Sequence, residues 1–474
     1  MPRQREIRGF ASVCKARLSI DPGVGLFCLA SLSLCLLFAP VVWAGPLALD
    51  EHVSYWMLDS EQPSSLWSRC LDYGAVPPLG SVLQLASMGL IGKTEFALRL
   101  PSLVAAWLAI VVVYRIGQRL GGSVCGGVAA CLLAWHPEVL DEVRIGRCYG
   151  LVECLSACLL LTTLRWRESI HSLSRGVMWA VVATALLWTH YTAVLLVMAT
   201  WGILTLSVLC SQRKRSAVFT LVLASFMTGV LCLPLWSSVQ RLQEWSPYLN
   251  MRAPETPIWK TISSFWWLAV PVGFLVTTGI SQLSRVSRTE VTKDRAMKTN
   301  DAWVMLTCWG VPLMVIAACA VGDMSSLANP RYRVAYAPAG TVWVAWLLSR
   351  SGSWKVSVAG LLVTVCAAWT LMPLRPWQLG RLGAAAERDW HELNLRLGTE
   401  ALAGEPIYVQ SGLVESSLVP AYLSDPLFLE YAASRVSRFY VPAPHARLGL
   451  PYFWDEQTQH GYAELIESLE APVL

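Results

Sequence analysis

Two adjacent carboxylates, Asp50 and Glu51, stand where a run without charge, Pro22 to Leu49, ends. A carboxylate at such an edge can take a proton from an alcohol, or hold a divalent cation against a phosphate. Adjacent residues in a loop or strand point apart, so one of the two is expected to be the base. A second group runs from Asp141 to Tyr149, with Arg144 and Arg147 three residues apart and expected on one side of a helix. Their forked donors could clamp a phosphate or diphosphate. A third, Asn329-Pro330-Arg331-Tyr332-Arg333, is expected to open a helix. Arginines there oppose the preference of a helix start for anions, which points to a bound anion or a carboxylate partner. His190 and Tyr191 could shape a cavity, or His190 could bind a metal. Each group also has a plainer reading: a polar loop start, charged anchors at a membrane interface, or a packing histidine.

The elements that must hold these groups are apolar. The chain has 474 residues, 55% hydrophobic and only 15% charged, where a soluble domain would be about 25% charged. An all-α polytopic membrane protein with about eleven spans is expected. The spans fall near 22–44, 96–116, 124–135, 148–164, two within 176–210, then 218–235, 262–280, 302–321, 334–348 and 356–371. Residues 79–91 are apolar but short, and read as a re-entrant or interfacial helix. The polar outer loop 46–77 is expected to contain a short interfacial helix, because Tyr55, Trp56, Leu58 and Trp67 mix with charges.

Charge distribution sets the expected orientation. With residues 1–21 placed in the cytoplasm, the inner segments hold about twice the Lys and Arg of the outer loops, the positive-inside pattern. Asp50, Glu51, Asp141, Glu142, His190, Asp323 and Arg331 then share the outer face. So does the segment 376–474, expected to be a small extracytoplasmic α/β domain with one or two parallel strands, since Pro406-Ile407-Tyr408-Val409 reads as a strand. The first apolar run is longer than the core of a signal peptide, so an uncleaved anchor is expected. The 14 cysteines lie mostly in apolar runs, with no CxxC and no zinc spacing. Basic residues scattered between spans do not suggest nucleic-acid binding.

The ordered set of motifs resembles the multi-spanning GT-C glycosyltransferases, specifically the group akin to protein O-mannosyltransferases and the lipid A aminoarabinose transferase. The resemblance rests on Asp50-Glu51 after the first span, Pro77-Pro78-Leu79, and Glu95-Phe96-Ala97-Leu98-Arg99-Leu100-Pro101-Ser102. It continues through Val113-Tyr114-Arg115-Ile116-Gly117, Arg144 to Tyr149, Trp188-Thr189-His190-Tyr191, and Pro330-Arg331-Tyr332 with Pro338. It covers about residues 20 to 375, and a transmembrane domain is expected over 22–375.

The resemblance implies transfer of a sugar from a polyprenyl-phosphate donor, outside the membrane, to a lipid, glycan or protein acceptor. It implies Asp50 as the catalytic carboxylate with Glu51 beside it. Arg144, Arg147 and Tyr149 would match the Arg-x-x-Arg-x-Tyr segment near the donor phosphate, and Arg331 with Tyr332 the late phosphate-side or lipid-side pair. Ile145 stands where the family often has an acid, a departure that bears on metal use and on activity. A divalent cation is compatible with the pattern; no other cofactor is implied. The competing class is a transporter or flippase of a lipid-linked substrate, or an inactive scaffold. A transporter would more often show paired repeats and interrupted helices in both halves, whereas these polar groups gather on one face.

Overall fold

A computed structural model describes residues 21–59, 63–73, 76–250, 300–308, 310, 330–351, 353–371, 383–400, 406–410, 426–441 and 447–450, with four isolated residues beyond. The first helix, α1 (Pro22–Ala44), starts where Pro22 presets the first turn and Asp21 Oδ1 accepts from Gly23 N–H at 2.7 Å. Then come α2 (Leu49–Leu58), α3 (Leu79–Ile91), α4 (Glu95–Gly121), α5 (Ser123–Ala134), α6 (Pro137–Val143) and α7 (Tyr149–Glu168). They are followed by α8 (Leu173–Leu187), α9 (Val194–Leu209), α10 (Lys214–Cys232) and α11 (Trp236–Asn250). After a helical turn at Pro330–Arg333 come α12 (Ala337–Ser349), α13 (Trp354–Leu371) and α14 (Gly383–Glu400). Strand β1 (Ile407–Val409), α15 (Pro426–Ala432) and β2 (Arg447–Gly449) come last, and short helical turns at Pro63–Ser68 and Arg69–Tyr73 lie between α2 and α3.

The core is a helical layer centred on α4 and α5, with α1 and α12 against α5 and α7 against α4. Gly122 takes φ +87° between α4 and α5, a conformation a side chain would strain. Gly126 lets the two helices close: a Cβ there would lie 2.6 Å from the Tyr114 carbonyl oxygen. Farther out, Trp166 and Trp179 are fully buried where α7 meets α8, and Trp179 Nε1 donates to Thr163 Oγ1 at 3.1 Å.

Three helical stretches are long and apolar enough to cross a membrane: Glu95–Gly121, Tyr191–Leu209 and Lys214–Gln243. A fourth is added if α5 and α6, bent by 57°, form one broken span. The described residues therefore carry three to four spans by this measure, not the eleven expected. The span expected at 262–280 lies outside the described residues, as does most of that at 302–321. Elsewhere polar breaks cut apolar stretches into shorter helices, at His136-Pro137 and at Trp188–Tyr191.

One expectation about the segment 46–77 also changes. Helix α2 does not lie exposed in an interface: residues 51 to 58 are all buried, covered by α3, by α4 and by the 428–440 segment. Helix α3 inverts the usual pattern, burying Gly80, Ser81, Gln84 and Ser87 while Val82, Leu83, Leu85 and Leu90 face outward. Small and polar residues inside with apolar residues outside suit a helix in contact with lipid, the short embedded helix that the sequence suggests. In the C-terminal region β1 and β2 pair in parallel, Ile407 opposite Arg447, so the expected small parallel sheet is present.

Candidate active site

The site begins with a backbone arrangement that separates the two carboxylates. Residues Asp50 and Glu51 occupy the first turn of α2, where acidic side chains suit the helix dipole. Glu51 points inward and is 1% exposed. Its Oε1 accepts from Arg99 Nε and from Gly146 N–H, each at 2.6 Å; its Oε2 accepts from Arg99 Nη2 at 2.6 Å and from Ala48 N–H at 2.7 Å. Arg99 spends its remaining donors on the Gly45 and Pro46 carbonyls, at 2.9 and 2.8 Å. A buried ion pair is tolerable when its remaining donors and acceptors are satisfied, as here. Glu51 thus binds three chain segments together: the entry to α2, the face of α4 and the turn before α7.

Asp50 points the other way, its side chain one-third exposed. Arg331 Nη1 lies 3.4 Å from its Oδ2. Arg147 Nη1 stands 3.5 Å from its carbonyl oxygen, at the outer limit of a hydrogen bond, and the buried Arg147 Nε meets no partner among the described residues. A carboxylate that is one-third exposed thereby pairs with Arg331, with the Arg147 guanidinium against its own backbone.

The segment carrying Arg144 and Arg147 is a bend between α6 and α7, not the helical face expected from the spacing. The peptide groups of Gly146 are taken by side chains: its N–H goes to Glu51, and its carbonyl accepts from Gln84 Nε2 at 2.6 Å. Gln84 Nε2 also reaches the Leu98 carbonyl at 3.1 Å. Ser102 Oγ closes the bend, donating to the Val143 carbonyl at 3.1 Å and accepting from Gly150 N–H at 3.2 Å. Consequently Arg147 faces Asp50, while Arg144 turns back on Asp141, with Nη2–Oδ1 at 3.4 Å.

Tyr149, His190 and Tyr332 form an aromatic strip beside the arginines. The His190 ring lies 5.7 Å from Tyr149 and 5.3 Å from Tyr332, centroid to centroid. His190 Nδ1 accepts from Thr192 N–H at 3.3 Å and sits 2.8 Å from Thr192 Oγ1, which fixes the ring and occupies that nitrogen. Tyr191 opens the short turn Tyr191–Ala193, and among the described residues no ring contact joins it to this strip. Among those residues no three His, Cys, Asp or Glu side chains converge to hold a metal.

Glu142 adds a titratable group. Burial pushes its carboxyl up to about 7; Arg331 and Arg147 oppose this, and Asp50 and Asp141 add to it. Behind the site, Arg333 clasps Glu138 through Nε at 3.1 and 3.3 Å, fixing the Pro330–Arg333 turn against α6. Sequence reasoning singled out none of Arg99, Gln84, Glu138 and Ser102 for a role. The available signal was cost: a charge within an apolar stretch must find a partner, and Arg99 and Glu138 are such charges.

Known proteins share the fold of this chain. The family described as dolichyl-phosphate-mannose-protein mannosyltransferase matches residues 75–237, about a third of the chain. The fold is similar to that of ArnT from Cupriavidus metallidurans bound to undecaprenyl phosphate, with TM-score 0.54 and 14% identity over 94% of this chain and 88% of that one. The apo state of the same protein gives TM-score 0.56 and 14% identity, over 94% and 89%. The archaeal oligosaccharyltransferase AglB from Archaeoglobus fulgidus, in complex with an inhibitory peptide and a dolichol-phosphate, gives 0.51 and 11%, over 92% and 65%. No curated protein matches the chain by sequence.

Proposed function

We propose, from the premise that this chain has the fold of the GT-C membrane glycosyltransferases, that it transfers a sugar from a polyprenyl-phosphate donor to an acceptor hydroxyl outside the membrane. The observation that carries this reading is the division of labour between neighbours. Glu51 is consumed by Arg99 and Gly146, whereas Asp50 stands one-third exposed, its carboxylate beside Arg331 and its backbone beside Arg147.

In this reading Asp50 takes the proton of the acceptor hydroxyl as its oxygen bonds to the anomeric carbon. The bond from that carbon to the phosphate oxygen breaks, and its electron pair leaves with the phosphate. Arg147 and Arg331 meet the growing negative charge with fixed donors in a partly buried site, where such donors act most strongly. A single base activating the acceptor directly gives inversion at the anomeric carbon. Arg144, tied to Asp141, is an outer holder of the phosphate end, and the tilted rings of His190 and Tyr332, backed by the buried Tyr149, offer an aromatic wall to the sugar or first prenyl units. An open apolar groove of about 650 Å³ between α1, Trp135 and α13 offers room for a lipid tail. The acceptor is a lipid, glycan or protein carrying a nucleophilic hydroxyl, and a divalent cation would have to bind Asp50 in competition with Arg331.

The wider arrangement belongs to the same proposal. Residues 1–21 lie in the cytoplasm and the 376–474 domain outside. The test is sugar release by purified protein from a panel of radiolabelled polyprenyl-phosphate sugars. Asp50→Asn is expected to lower turnover by about two to four orders of magnitude, the usual contribution of a positioned base, with donor binding retained. Arg147→Ala should weaken donor binding and turnover together. An active Asp50→Asn enzyme removes Asp50 as the base. Absence of turnover and of donor binding across the panel sinks the glycosyltransferase reading in favour of transport or scaffolding.

A further inference from the structure

Helix α2 carries the proposed base, and its two ends are held by residues far away in the sequence. At its entry, the Tyr440 hydroxyl accepts from Leu47 N–H at 3.1 Å and donates to Glu95 Oε1 at 3.0 Å. Glu95 opens α4, and Arg99 lies one helical turn further along the same face. Arg99 is the residue that clasps Glu51. Tyr440 therefore joins the start of α2 to the element that fixes its second carboxylate.

The far end of α2 is held by the same segment. Arg69 Nη1 donates to the Trp56 carbonyl at 2.8 Å, and Arg69 Nη2 pairs with Glu430 Oε2 at 3.4 Å. Arg438 lies 3.7 Å from Asp59, the residue that caps α2. Tyr55 packs edge-on against Phe439 at 5.1 Å, and Trp56 lies tilted against Tyr431 at 5.4 Å.

The brace itself is backed by a rigid support. Asn394 on α14 is fully buried; its Oδ1 accepts from Ser437 N–H at 3.0 Å and its Nδ2 donates to the Arg435 carbonyl at 3.1 Å. The Tyr440 ring is flanked by His391 at 4.5 Å and His52 at 5.9 Å. Burial, with Arg435 and His391 adding, lowers His52 to about 3, so this contact stays neutral over the physiological range.

We infer that Tyr440 is a positioning residue for Asp50, through which the C-terminal segment sets the angle of α2 and thus the base. This rests on the reading of Asp50 as the base. A hydroxyl that holds both the entry to α2 and Glu95 fixes the direction of a carboxylate three residues on. Misplacing a base by about 1 Å can cost about a hundredfold in rate without touching the donor.

The test uses the full-length protein in lipid nanodiscs. Tyr440→Phe, which keeps the ring and its packing, is expected to lower kcat about tenfold or more with KM for the lipid-linked donor unchanged. Glu95→Ala should fall alike. Glu95→Gln, which keeps an acceptor oxygen for the Tyr440 hydroxyl, should recover most of that loss. Amide exchange at Leu47 to Glu51 should quicken in Tyr440→Phe and in Glu95→Ala, but not in Glu95→Gln. Unchanged kcat in Tyr440→Phe, or a loss confined to KM, overturns the inference. If the wild type releases no sugar, the proposed function fails by itself; the exchange pattern then decides, and unchanged protection in Tyr440→Phe overturns the brace.

Discussion

At the scale of single residues, the pair Asp50-Glu51 shows how one polar dipeptide divides into two roles. Both side chains are carboxylates at a helix start, and nothing in their types distinguishes them. The difference is which side of the first turn faces α4. Glu51 meets Arg99 there, and removal of either partner leaves a charge in a dry place. Arg99→Met is therefore expected to destabilise the protein by about 3–5 kcal/mol, the range for breaking a buried pair. The check is denaturant unfolding in detergent micelles. Adding Glu51→Gln to Arg99→Met should recover part of that loss, because a neutral amide carries no unpaired charge and its one oxygen can still accept from the Ala48 or the Gly146 N–H. If the double variant is no more stable than Arg99→Met, the buried charge is not the source of the cost.

At the scale of elements, the bend between α6 and α7 decides what the arginines do. Spacing alone suggests a helical face bearing both Arg144 and Arg147. The Gly146 N–H and carbonyl are instead engaged by Glu51 and Gln84, so the helix starts only at Tyr149 and the two guanidiniums part. Glu142, at the end of α6, brings the site a pH dependence. Its carboxyl is pushed up to about 7 by burial, so below that value it is neutral and the site is one charge more positive. Binding of the anionic donor should tighten as pH falls through about 7 and weaken as it rises. Glu142→Gln should hold the tight-binding state across the range and flatten the profile. A wild-type affinity that does not change between pH 6 and 8 would show that Glu142 does not titrate near the phosphate.

At the scale of the whole molecule, α4 separates two charged ends. Its start carries Glu95 and Arg99 beside the candidate site. Its end carries Arg119, paired with Glu168 at 3.0 Å and with Asp301 at 2.8 Å, where Arg167 also meets Asp301 at 3.1 Å. Twenty residues of helix between Arg99 and Arg119 span about 30 Å, the thickness of a hydrocarbon core. The two clusters thus suit opposite faces of a bilayer. A single cysteine placed at Asp59, in a background without reactive thiols, should be labelled by an impermeant reagent from outside intact cells. One placed at Ser172 should be labelled only after permeabilisation. The reverse pattern would invert the proposed orientation.

The order of apolar stretches, the polar breaks between them and the residue types at the candidate site were legible in the sequence, because each reflects local chemistry. A charge-free run must leave water, a His-Pro or Trp-Thr-His break must interrupt a helix, and an arginine beside a carboxylate invites pairing. Those features were enough to suggest a membrane-embedded helical protein with polar groups on one face and a small C-terminal sheet. Tertiary structure alone decided which groups met. Arg99 found Glu51 across 48 positions, Arg331 found Asp50 across 281, and Tyr440 reached Leu47 across 393. Such pairings leave no local periodicity, because they depend on how helices pack and where a bend turns the chain. For the same reason the burial of α2, which separates Asp50 from Glu51, belongs to the fold and not to the segment that carries them.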